Sequence, residues 1–144
     1  MNLVRWRFVL AAAAAAAAGG WLLDGRIGWL AAGVAGFDWA VASLFLRISD
    51  VPDDERKGVP GTDYVRRNAG MLMRAAFIAL GVSLFGLRPL GWPLLGVRLA
   101  FHAVGFAYAF PTVVPRLKEV PGARWAVPVL LLAVSAVGVP LALR

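Results

Sequence analysis

Four side chains able to carry charge stand inside long apolar runs of this sequence: Asp38, Arg74, Arg98 and His102. An unpaired Asp or Arg at the centre of a membrane helix costs roughly 2.5–3.5 kcal/mol, so each must face a protein partner or water. Arg98 and His102 are four residues apart, which puts them on one face of a helix, one turn from each other. Asp38 with Arg74 or Arg98 would neutralise one charge and pin neighbouring helices. Two arginines against one aspartate leave a surplus guanidinium, available to a carboxylate on another protein or to an ion path. Arg74 lies five residues into its run, near enough to one end for its long side chain to snorkel to the surface.

The rest of the inventory excludes more than it offers. There is no cysteine, so disulfides, thiolate metal sites and cysteine nucleophiles are ruled out. The single histidine, His102, has no second His or Cys to complete a metal site and is expected to be a hydrogen-bonded packing residue. Asp53, Asp54 and Glu55, flanked by Arg56 and Lys57, read as a solvated acidic stretch rather than a divalent-cation site. Walker loops, dinucleotide fingerprints, HExxH and nucleophile elbows are absent from the sequence. The expectation is a protein without catalytic residues, metal or cofactor, and not an enzyme.

The elements that hold these residues follow from composition. Of 144 residues, 60% are hydrophobic and only 16% charged, with mean hydropathy +0.74. An average soluble domain is about 25% charged. So apolar a chain cannot lay a polar skin over one core, and it reads as an all-α membrane bundle. Five runs approach the ~20 residues that span a ~30 Å hydrocarbon layer as helix. They lie at about residues 8–23, 27–46, 69–87, 91–114 and 125–143. The first holds eight consecutive alanines and is expected to remain as an uncleaved helix rather than a signal peptide. Asp24-Gly25-Arg26 and Arg88-Pro89 are turns short enough for antiparallel hairpins. Residues 47–68 form a hydrophilic linker, with room for a short surface helix.

Further patterns bear on contacts. Gly28, Ala32, Gly36 and Ala40 recur every fourth position, a small-residue stripe that lets another helix come close. Asp38, two residues past Gly36, lies about 200° round the helix and faces a different neighbour. Trp21, Trp29, Trp92 and Trp125 fall near run ends, as interfacial anchors do, while Pro93, Pro111, Pro128 and Pro140 are placed to bend helices. With the N-terminus in the cytoplasm, that side carries ten Lys and Arg and the other side three, a positive-inside pattern that places the C-terminus outside. The net charge of +7 is therefore read as contact with anionic lipids, not nucleic acid. Thirteen Arg against two Lys in an Ala- and Gly-rich chain fits a GC-rich bacterial gene, hence a bacterial inner membrane.

Two hairpins carry a family resemblance. The first is a basic N-terminus and apolar helix followed by DGRIGWLAAGVAGFDWAVASLFLR, residues 24–47. The second is RRNAGMLMRAAFIALGVSLFGLRPLGWPLLGVRLAFHAVGFAYAFPTVV, residues 66–114, with a charged linker between the two. Over about residues 5–114 this layout resembles the ATP synthase protein I family, from which the run at 125–143 departs as an addition. The resemblance implies a noncatalytic role in building or stabilising the ring of c subunits of an F-type ATP synthase. Some family members have been proposed to carry Mg²⁺. It also implies that Arg74 and Arg98, which match by span, could engage the ring's ion-binding carboxylate.

Three functions follow as expectations. One is an accessory or assembly membrane protein working through helix–helix contacts with c subunits. Another is a structural subunit of a different large membrane complex. The last is a small ion transporter working as an oligomer, with Asp38, Arg74, Arg98 and His102 along its path.

Overall fold

The structure, a computed structural model, describes residues 4–110 and 117–144. The end of the apolar run 91–114, with Pro111, and the following Pro115 and Arg116 lie outside the described residues. Among the described residues all regular structure is helical. The main helices are α1 (Trp6–Asp24), α2 (Trp29–Ser49), α3 (Val51–Arg56), α4 (Thr62–Gly86), α5 (Trp92–Ala109) and α6 (Ala123–Ala142). Helix is the form these runs must take, because it satisfies every backbone N–H and C=O within the segment.

Glycines and prolines set the breaks. Gly25 adopts φ 67°, and its N–H donates to the Trp21 carbonyl at 2.8 Å, closing α1 before the turn into α2. Gly91, at φ 111°, ends the 3₁₀ turn Arg88–Leu90 and admits α5, with Pro93 in its first turn. Asp50 ends α2 and begins α3, and Pro52 sits in the first turn of α3, where its missing N–H costs nothing. The linker 47–68 is more helical than its composition suggests. It contains the end of α2, all of α3 and the start of α4, which begins at Thr62 rather than at residue 69.

Among the described residues, four helices are long and apolar enough to cross a membrane: α1, α2, α4 and α6. The 18 residues of α5 fall outside that group, because Arg98 and His102 stand in its body. Both are buried in the bundle, beside Leu94, Phe101 and Ala109 of the same helix.

The buried share of each apolar window shows that α2 is the hub. It reaches 56% in α2 against 28% in α1, 22% in α6 and 17% in α4. One core joins Val9 and Ala12 of α1, Trp39 and Ala42 of α2, Phe101 of α5 and Leu131 of α6. Trp39 stacks on Phe8 and meets Phe101 edge-on, and its Nε1 donates to Ser135 Oγ at 2.9 Å. A second aromatic group gathers Phe77, Phe106 and Phe110 around Phe45.

The crossing of α1 with α6 depends on Gly19. Pro140 has no N–H to give the Ala136 carbonyl, and a π turn occupies Val134–Gly138 just before it. That carbonyl faces Gly19 so closely that any Cβ there would overlap its oxygen. At the same end of the bundle Arg144 Nε donates to Asp24 Oδ1 at 2.8 Å, tying the ends of α6 and α1 together.

Candidate functional site

Asp38 stands about 14 Å along α2 from Trp29, counting 1.5 Å per residue. Arg98 and His102 come from one face of α5, and Ser83 from the last turn of α4. Three helices thus meet at one carboxylate. Arg98 Nε lies 3.1 Å and 3.0 Å from the two Asp38 oxygens, and Nη2 donates to Oδ1 at 2.6 Å. Nη2 also donates to Ser83 Oγ at 2.9 Å and Nη1 to the Ser83 carbonyl at 3.3 Å. The Phe37 ring covers the guanidinium, its centroid 6.0 Å away.

His102 completes the group. Its Nε2 is 3.0 Å from Asp38 Oδ1. A carboxylate in a salt bridge only accepts, so Nε2 must carry the proton. The other ring nitrogen, Nδ1, is buried and has no hydrogen-bond partner among the described residues. Asp38, Arg98 and His102 are 2%, 1% and 7% exposed, so the ion pair and the imidazole are buried within the bundle. The chemistry available here is electrostatic locking of three helices. Taking two charges out of water is expensive, and the multiple short contacts and the Ser83 hydrogen bonds are what offset that cost.

Arg74 lies elsewhere. It is exposed near the middle of α4, and it makes no hydrogen bond or ion pair among the described residues. Met71, Ile78, Val82 and Phe85 continue its face of the helix at three- and four-residue intervals, and all four are exposed. With Arg98 engaged by Asp38, the guanidinium left over on the apolar helices is Arg74.

The small-residue stripe turns toward α1, on the side of α2 away from Asp38. Gly28 lies against Gly20, where a Cβ on Gly20 would come within 2.9 Å of the Gly28 Cα. Gly36 faces Ala13 and Val9 at ordinary van der Waals distance. Ala32 and Ala40 are half-buried, and Ala40 packs against the Val9–Trp39 core.

The sequence reading passed over an ionic network at the opposite end of the bundle. Asp54 is 8% exposed and paired with Arg47, itself 7% exposed, so it does not belong to a solvated acidic stretch. Arg47 Nη2 also donates to the Pro60 carbonyl at 3.0 Å. Asp50 binds Arg5 at 3.0 Å and Lys118 on its other oxygen. No local spacing signals this pairing, because Arg47 stands in the last turn of α2 and Asp54 in α3, beyond the break at Asp50. Asp53 and Glu55 are outward, paired with Arg56 at 3.0 Å and Arg66 at 3.2 Å.

No protein-family model, curated protein or solved structure matches the chain. Its function has to be argued from this geometry.

Proposed function

We propose that the protein is a noncatalytic accessory or assembly protein of a bacterial inner membrane, acting through helix–helix contacts with other membrane subunits on the outer face of α4. The observation that carries this reading is Arg74. It is an exposed guanidinium near the middle of an apolar helix, without a partner among the described residues and bordered by exposed Met71 and Ile78. It lies about 18 Å along α4 from Gly86. With Gly86 at one boundary of a ~30 Å hydrocarbon layer, Arg74 is about 12 Å inside the other. A carboxylate on a neighbouring membrane helix would neutralise it in place, and a desolvated Arg–carboxylate pair is directional and strong.

In this reading α5 is the fifth crossing, since its two polar residues are already neutralised against Asp38. The N-terminus is cytoplasmic on the ten-to-three distribution of basic residues. The resemblance to the ATP synthase protein I family makes the c subunit, with its membrane carboxylate, the first partner to test.

The test is gentle detergent extraction from native membranes through a C-terminal tag, with wild type and Arg74→Leu compared by quantitative mass spectrometry. Co-purification of c subunits that drops at least about tenfold in the variant supports the reading, that being the ratio for a lost interaction of ~1.4 kcal/mol. Recovery of another membrane complex in fixed ratio, equally sensitive to Arg74, would replace the c subunit with a different partner. Association that ignores the substitution removes the α4 face from the interface.

A further inference from the structure

The α1 and α6 helices meet closely at one end only. Near Gly19, Ala136 and Pro140 they touch backbone to backbone, and Arg144 ties the end to Asp24. Toward the other end they part, and the space between them is a cavity of about 450 Å³. Its walls are Phe8 and Ala11 of α1, Trp39 of α2, and Pro128, Val129 and Leu132 of α6. The wall is almost wholly apolar until its mouth, where Arg5, Tyr108 and Arg124 stand. A second, polar cavity of about 450 Å³ adjoins that mouth, and the two share Arg5, Leu46, Tyr108 and Arg124.

We propose that this wedge binds one anionic phospholipid, with an acyl chain between α1 and α6 and its phosphate at Arg5 and Arg124. Three observations choose this occupant. The first is length: from Trp125 to Leu132 the wedge runs about 10 Å along α6, which accommodates a stretch of a single hydrocarbon chain. The second is the order of surfaces, with apolar walls at depth and guanidinium groups at the mouth beside the exposed Trp125, the arrangement of a lipid from tail to headgroup.

Charge is the third observation. The polar cavity is lined by Arg5, Lys57, Lys118 and Arg124 together with Asp50, Asp53, Asp54 and Glu119. Asp54 is taken by Arg47 and Asp53 by Arg56, which do not line it. With those two carboxylates engaged from outside, the four lining cations face Asp50 and Glu119. Asp50 is shared by Arg5 and Lys118, and the Arg124 guanidinium makes no hydrogen bond or ion pair among the described residues. Tyr108 Oη donates to the Arg124 carbonyl at 3.4 Å, which connects the start of α6 to α5 beside the vacant guanidinium. Such a mouth favours an anionic headgroup over a zwitterionic one.

The inference rests on the membrane reading above, and not on a partner at α4. The full-length chain in mild nonionic detergent is titrated with dioleoyl phosphatidylglycerol or dioleoyl phosphatidylcholine and observed by native mass spectrometry. One phosphatidylglycerol is retained, about tenfold or more tightly than phosphatidylcholine, as two juxtamembrane cations would give. The double variant Arg5→Gln/Arg124→Gln loses that preference. Val129→Trp, which fills the wedge, loses retention of both lipids, while Arg74→Leu leaves retention unchanged, so the two proposals fail separately. Equal retention of both lipids by the wild type overturns the site without need of any variant. Displacement of the lipid by inorganic phosphate overturns it as well, because the mouth would then select a soluble anion.

Discussion

Replacing Asp38 by Leu removes the acceptor for Arg98 Nε and Nη2 and for His102 Nε2, and leaves a guanidinium that is 1% exposed with Ser83 as its remaining partner. Hydrogen bonds between membrane helices average only about 0.6 kcal/mol in mutant cycles, because the unfolded segment finds other partners. A stranded buried charge is a different matter, and breaking one half of a buried ion pair costs about 3–5 kcal/mol. Asp38→Leu and Arg98→Met should each destabilise the bundle by about that amount. The double variant removes both charges and offers similar volume, so it should return to within ~1–2 kcal/mol of wild type, as replacement of buried pairs by apolar residues does elsewhere. The coupling energy of the cycle is then several kcal/mol and favourable.

The assay is reversible unfolding in mixed micelles with increasing denaturing detergent, followed by far-ultraviolet circular dichroism and tryptophan fluorescence. Arg74→Gln serves as the exposed control and should shift stability by no more than about 0.5 kcal/mol. A cost below ~1 kcal/mol for Asp38→Leu, or a double variant as unstable as the sum of the singles, would refute the claim that this pair locks α2 to α5.

Two further predictions concern packing and topology. Gly19→Ala puts a methyl group into the Ala136 carbonyl and should destabilise by about 1–3 kcal/mol, whereas Gly33→Ala meets nothing within 4 Å and should be neutral or stabilising by up to ~1 kcal/mol. The same unfolding assay checks both, and equal effects at the two glycines would contradict the α1–α6 crossing. Because the sequence contains no cysteine, single cysteines report topology cleanly. In intact cells a membrane-impermeant maleimide should label Arg26→Cys and spare Lys57→Cys, and the reverse pattern would overturn the orientation.

Much of the fold is legible in the sequence because long apolar runs, whose backbone groups must be satisfied within the segment, have so few forms open to them. The runs near 8–23 and 27–46 become α1 and α2 with the turn at Gly25, and the hairpin at Arg88–Pro89 closes at Gly91. That Asp38 needs a partner follows from the cost of burying a lone carboxylate. Which arginine takes that role does not, since Arg74 and Arg98 are equivalent on a hydropathy scale. The choice depends on α5 turning its face inward while α4 turns Arg74 outward, a matter of helix rotation that no local pattern encodes. The burial of Asp54 was masked for a related reason, because a stretch dense in charges looks solvated, and the pairing of Asp54 in α3 with Arg47 of α2 crosses the helix break at Asp50. The crossing of α1 with α6 rests on the closeness of Gly19 to Ala136, a pair distant in the chain and unremarkable in type.

The most direct test of a docking face on α4 is site-specific photo-crosslinking in native membranes, with a benzophenone amino acid placed in turn at Met71, Ile78, Val82 and Phe85, and at Ala75 and Ala79 as neighbouring exposed positions. A partner bound beside Arg74 predicts one protein adduct of constant mass, strongest along the Met71–Ile78–Val82–Phe85 line and abolished by Arg74→Leu. Adducts to lipid alone along that line, or a protein adduct indifferent to Arg74, would contradict it.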